Sequence, residues 1–143
     1  MRFLILNGPN LNLLGHREPE VYGTATYNDL CRMVEDYAAA RGHSVDFFQS
    51  NHEGALIDAI QDAAGQYDAI VINPGAYAHY SYALHDALRS VDVPAAEVHI
   101  SDIYSREPWR AVSVTASACK TMICGHGLEG YCEAMDALAE GLK

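Results

Sequence analysis

Positive charge is scarce in this chain. Nine Lys and Arg stand against nineteen Asp and Glu in 143 residues, a formal net charge of −10. Such a domain lacks a broad cationic face for a phosphate backbone and is repelled by anionic membrane surfaces. Long apolar runs are missing as well. Nothing approaches the roughly 18 consecutive apolar residues of a membrane span. Phe3–Leu6 stops at Asn7-Gly8-Pro9-Asn10, too soon for the apolar stretch of an export signal, so the expected location is cytoplasmic. The cysteines (Cys31, Cys119, Cys124 and Cys132) form no C-x-x-C pair and read as buried thiols. No histidine pair has H-x-x-x-H spacing, so no metal site is expected. A G-x-x-x-x-G-K-[ST] phosphate loop is also lacking.

What remains is an ordinary globular composition, 50% hydrophobic and 20% charged. The length fits one domain spanning residues 1–143, large enough to hold a core without staples. Short apolar runs at Arg2–Leu6, Ser44–Phe48, Asp68–Ile72, Pro94–Ile100 and Lys120–Cys124 read as strands. Between and after them lie helical stretches at Thr26–Arg41, Ser50–Ala64, Tyr80–Ser90 and Leu128–Leu142. Thr26-x-x-Asp29 and Ser50-x-x-Glu53 have the form of capping boxes, and Gly42 stops the first long helix. Trp109–Ala118 fits neither pattern. This alternation predicts an α/β fold: a flavodoxin-like three-layer sandwich, with a five-stranded parallel sheet and helices on both faces.

In open parallel sheets, ligands bind beyond the carboxyl ends of the strands. Those ends carry Asn7 and Asn10, then Gln49 and Asn51, then Asn73 and His79, then His99 and Ser101. Amides and imidazoles at four successive strand ends point to a polar small-molecule site. Gly125-His126-Gly127-Leu128-Glu129-Gly130 matches G-x-G-x-x-G, yet too little chain follows it for the ribose-binding acid about 20 residues on. Tight-turn glycines are the simpler reading. A phosphorelay receiver needs carboxylates where Asn7, Gly8 and Asn73 stand.

The connection Leu11–Gly23 exceeds the ~2–6 residues usual between strand and helix, a length typical of active-site lids. It carries Arg17 and Tyr22. A close cation favours a phenolate, so the two folded together would make a general base. Glu97 and His99 are two apart on one strand and share a face. A carboxylate beside an imidazole fixes its tautomer and suits it to proton donation. Arg106 and Arg110 add positive charge suited to an anionic substrate, or one of them serves a subunit contact. Spacing alone leaves open a solvated Arg17, a packing Tyr22 and a structural His99.

Taken together, these residues form a pattern. Asn7-Gly-Pro-Asn-Leu-Asn-Leu-Leu-Gly15, Arg17-Glu-Pro19 and Tyr22-Gly23 resemble the opening signature of the type II 3-dehydroquinate dehydratases. The likeness runs on through Gln49–Gly54, Ile72–Ala76, Asp86-Ala87, Glu97–Ser101, Arg106-Glu107, Arg110, Ile123–Gly125 and Gly130-Tyr131. It implies dehydration of 3-dehydroquinate to 3-dehydroshikimate without metal or cofactor, in trimers packed into a homododecamer. By resemblance, Tyr22 takes the proton beside the ketone, Arg17 stabilises its phenolate, and Asn10 acts through a water on the enolate. His99, partnered by Glu97, protonates the departing hydroxyl. Asn73, His79, Asp86, Arg110 and the backbone of Ile100 and Ser101 match the contacts to substrate hydroxyls and carboxylate.

The chain departs from the family pattern at Tyr80, His85, Asp102, Tyr104 and Pro108-Trp109, none of them a proposed catalytic group. Tyr80 and Tyr104 motivate a competing reading, a non-catalytic small-molecule binding module of the same fold. A flavin-binding flavodoxin relative is a third reading.

Overall fold

In a computed structural model of the chain, residues 1–141 are described. Five strands, β1 (Arg2–Asn7), β2 (Ser44–Gln49), β3 (Ala69–Asn73), β4 (Ala95–His99) and β5 (Thr121–Cys124), form one sheet in the order β2-β1-β3-β4-β5. Every pairing is parallel. The helices are α1 (Pro19–Tyr22), α2 (Tyr27–Ala40), α3 (Glu53–Asp62), α4 (Tyr82–Ser90) and α5 (Glu129–Gly141). This is the flavodoxin-like architecture expected from the alternation of elements. Residue 142, the expected end of the last helix, lies outside the described residues. Among the described residues, no helix is long and apolar enough to cross a membrane.

Side chains alternate across the sheet with a period of two. Phe3 and Ile5 of β1 and Ala69 and Val71 of β3 pack with Leu30, Val34 and Met135 under α2 and α5. Leu4, Leu6, Ile70 and Ile72 pack with Leu56, Ile60, Leu84 and Leu88 under α3 and α4. Strands covered on both faces carry unbroken apolar runs, so β1 and β3 stand out in the sequence. β2 lies at the sheet edge and alternates between exposed and half-buried residues.

The Thr26 box forms: its hydroxyl accepts from Asp29 N at 3.1 Å, and the Asp29 carboxylate accepts from Thr26 N at 2.9 Å. The Ser50 box does not. His52 occupies the cap position of α3 without a side-chain cap bond. The Ser50 hydroxyl accepts from His52 N at 3.0 Å. Glu53 turns to a tertiary partner, accepting from the Ser81 hydroxyl at 2.5 Å, while Ser81 Oγ caps α4 through Leu84 N. The cysteines also need correction. Only Cys132 is buried; Cys31, Cys119 and Cys124 are half-buried, and all are free thiols. Burial pushes the Cys119 thiol up to about 12 and Cys132 to about 11, so both stay protonated. The stretch that fitted no pattern folds as two 3-10 turns, Pro108–Ala111 and Ala116–Ala118.

The strand order reverses between β1 and β3, and the chain leaving both is drawn tightly together. Gly8 N donates to Asn73 O at 2.8 Å. A Cβ at Gly8 would lie 2.5 Å from the Pro74 carbonyl oxygen, so only glycine fits. This close approach sets the floor of the site.

Candidate active site

A cavity of about 90 Å³ opens at the carboxyl ends of β1, β3 and β4, lined by residues that include Asn10, Arg17, Tyr22, Asn73, His79 and His99. Ile100, Ser101, Arg106 and Arg110 complete its charged side. Three guanidinium groups therefore converge in a protein of net charge −10, concentrating positive potential where an anion would enter.

The lid builds one wall. Glu18 adopts a left-handed backbone (φ 36°, ψ 62°) and Pro19 starts the single turn of α1. That turn carries Tyr22 back onto Arg17. Arg17 Nη2 donates to Tyr22 Oη at 3.2 Å, and its guanidinium carbon lies 4.3 Å from the ring centroid. The body of the domain supplies a second cation. Arg106 Nη1 donates to the same phenol oxygen at 2.6 Å and to Ser101 Oγ at 3.2 Å. The Glu18 carboxylate lies 3.5 Å from Arg17 and 3.6 Å from Arg106, holding the two together. By sequence alone Arg106 stands as local charge or as a subunit contact. Its contact with Tyr22 spans 84 residues, and no local spacing announces it.

β4 builds a second wall. Its odd residues face α4, so Glu97 and His99 emerge side by side. His99 Nε2–H donates to Glu97 Oε2 at 2.8 Å, with side-chain exposures of 6% and 0%. Glu97 is satisfied further by the Ser113 hydroxyl at 2.5 Å and by the Thr115 hydroxyl. A buried carboxylate needs such donors. Ser113 and Thr115 lie 16 and 18 residues beyond Glu97, in a segment whose sequence pattern was ambiguous. With Nε2 bonded to Glu97, Nδ1 is the ring nitrogen left for a ligand.

His79 stacks beside His99, with ring centroids 6.1 Å apart. Its Nδ1–H donates to the Val112 carbonyl at 2.7 Å, which leaves Nε2 as an acceptor in the neutral ring. Burial, followed by the neighbouring His99 and Arg110, pushes this imidazole below its ordinary value, so it is neutral at pH 7. Arg110 pairs with Glu107 at 2.7 Å and lies 4.1 Å over the Trp109 ring. That pairing holds the Glu107 carboxyl below its usual range.

Asn10 sits in a left-handed conformation (φ 70°), its N–H donating to Asn51 Oδ1 at 3.0 Å. The carbonyls of Ile100 and Ser101 accept from Gly127 N and Gly125 N, both at 3.1 Å. Gly125 and Gly127 have φ of 80° and 62°, so the G-x-G-x-x-G motif serves as a turn fixing the cavity wall. Asp86 is the predicted site residue that the fold does not bring in. It is exposed on α4 and absent from the cavity lining of its own chain.

Fold and site thus define a flavodoxin-like α/β enzyme with an arginine-clasped phenol facing a carboxylate–imidazole pair. The particular family follows from likeness. Residues 1–139 match the family Dehydroquinase class II. A 3-dehydroquinate dehydratase of Clostridium acetobutylicum is 51% identical over 143 residues, covering 100% of this chain and 99% of that protein. The crystal structure of a type II dehydroquinase from Butyrivibrio crossotus superposes with a TM-score of 0.96 at 50% identity, covering 97% of each chain. That of the Propionibacterium acnes type II dehydroquinase gives 0.93 at 42% identity, covering 97% of this chain and 96% of that one. The chain belongs to the class II dehydroquinases.

Proposed function

We propose that the cavity removes water from 3-dehydroquinate by anti elimination through an enolate, with Tyr22 as base and His99 as acid. The chain is a 3-dehydroquinate dehydratase, a hydro-lyase of the shikimate pathway. A proton beside a ketone is labile because the resulting anion spreads onto oxygen, so the site needs a base on one face and donors at that oxygen. The observation that carries the reading is the phenol oxygen of Tyr22, which accepts from two guanidinium groups, at 2.6 and 3.2 Å. Both cations lie where negative charge would develop on that oxygen during proton transfer. Asn10 acts on the enolate oxygen through a water. His99 protonates the departing hydroxyl while Glu97 holds the ring in place. Asn73, His79 and Arg110, with the amides of Ile100 and Ser101, bind the substrate's hydroxyls and carboxylate. Asp86 serves that binding only from a surface outside its own cavity.

The decisive experiment is direct. Purified enzyme given 3-dehydroquinate should produce an ultraviolet-absorbing conjugated enone, at a rate unaffected by chelator and without added cofactor. Binding of the substrate in calorimetry without turnover would select the non-catalytic module instead.

The trimer-based homododecamer belongs to the same proposal. Its support is the exposed rim of Tyr80, Tyr82, Trp109 and Val112, 52% to 70% accessible in the single chain. Apolar surface on this scale favours a covering partner. Sedimentation velocity should give the mass of twelve chains; a monomer peak would refute the assembly.

A further inference from the structure

Behind the cavity, Asn73 is tied to buried polar groups that the mechanism does not use: Asn7, Tyr131 and Tyr27. Asn7 ends β1 and Asn73 ends β3, and the two are directly paired in register. Both belong to the odd-numbered set of their strands, so both turn toward the face covered by α2 and α5. Their exposures are 0% and 3%. From α5 comes Tyr131, itself fully buried, with its hydroxyl between them.

The direction of each bond is determined. The Tyr131 hydroxyl donates its single proton to Asn7 Oδ1 at 2.5 Å. Its oxygen then has only acceptor capacity left, and Asn73 Nδ2 donates to it at 3.0 Å. Asn73 Oδ1 in turn accepts from Gly75 N at 3.1 Å. On the far side, Asn7 Nδ2 reaches the Tyr27 hydroxyl at 3.4 Å, at the start of α2. Burial drives both phenols toward the protonated state: Tyr27 is pushed up to about 12 and Tyr131 higher still. The hydroxyl proton therefore stays in place.

Asn73 also lines the cavity. A terminal amide with no such partner turns over easily, exchanging an acceptor for a donor at nearly the same position. We infer that Tyr131, locked by Asn7, is a positioning residue that fixes which face of the Asn73 amide meets the substrate. The inference rests on the reading of Asn73 as a substrate contact. It explains why a tyrosine, and not an apolar residue, fills a fully buried place on α5: a phenylalanine would fill the space but remove the hydroxyl that joins the two amides, leaving Asn73 only its Gly75 bond and Asn7 only its long reach to Tyr27.

The test uses Tyr131→Phe, Asn73→Ala and the double variant in the full-length enzyme, with steady-state kinetics on 3-dehydroquinate. Loss of one such hydrogen bond predicts about a tenfold rise in KM for Tyr131→Phe, with kcat changed less. The double variant should be no worse than Asn73→Ala alone, because the hydroxyl acts through that amide. A packing role would instead cost the same factor in both backgrounds, and multiplying penalties overturn the inference. An unchanged KM in Tyr131→Phe does so too.

The side-chain amide resonances of Asn73, assigned by their loss in Asn73→Ala, give a readout independent of substrate. They should move or broaden in Tyr131→Phe without ligand, and no change overturns the inference. If they move while Asn73→Ala turns over normally, positioning stands and the substrate contact falls. Should Tyr131→Phe not fold, Asn7→Ala serves. It frees the hydroxyl to donate to Asn73, and the same KM rise and resonance change are expected; their absence refutes the proposal.

Discussion

Tyr22→Phe should lower kcat about a thousandfold while leaving KM within a few-fold of the parent enzyme, the size expected when a positioned base is deleted. The substitution removes one oxygen and keeps the ring. The Arg17 guanidinium carbon lies 4.3 Å and the Arg106 carbon 5.2 Å from the ring centroid, so both cations retain an aromatic face to rest on. The lid therefore keeps its shape, and the loss falls on the chemical step. Solvent-hydrogen exchange at the carbon beside the ketone separates this from a general decline. With no base to form the enolate, exchange into recovered substrate should vanish along with turnover. Near-full activity in Tyr22→Phe would remove Tyr22 from the mechanism.

His99→Ala should also lower kcat by a factor of about a hundred to a thousand, but with the opposite exchange behaviour. In the proposed mechanism, proton abstraction belongs to Tyr22 and does not need the imidazole. The enolate should still form and revert, so exchange into 3-dehydroquinate continues while enone formation stalls. The variant should fold, because Glu97 keeps the Ser113 and Thr115 hydroxyls as donors when the ring is gone. Loss of exchange in parallel with turnover would show that His99 serves the first step, and the assignment of acid and base would have to be redrawn.

The two variants also mark what could be read from the sequence. The sheet was legible because β1 and β3 are buried on both faces, so Phe3–Leu6 and Ala69–Ile72 are unbroken apolar runs. Strand ends follow at once, and with them the positions of Asn10, Asn73 and His99. Glu97 and His99 were legible as a pair because a strand's two-residue period is strict. Arg17 and Tyr22 sit within one loop, so their meeting needed only a turn, which Pro19 supplies. Contacts between distant segments left no such trace. Arg106 reaches Tyr22 across 84 residues. Ser113 and Thr115 come from a segment without regular periodicity. The cap at Ser50 failed for the same reason in reverse: the local pattern was correct, but Glu53 found Ser81, 28 residues away. Asp86 lies exposed on α4, outside the lining of the candidate site.

The two arginines on the Tyr22 oxygen come from different parts of the molecule: Arg17 rides on the lid with the tyrosine, and Arg106 is anchored in the body. Any swing that carries Tyr22 away from the sheet takes Arg17 with it and leaves Arg106 behind. In the proposed mechanism gate and base are thus one object, and opening would cost the phenol its 2.6 Å contact from Arg106. With Tyr22 as the proposed base, proton transfer would be reserved for molecules that let the door close.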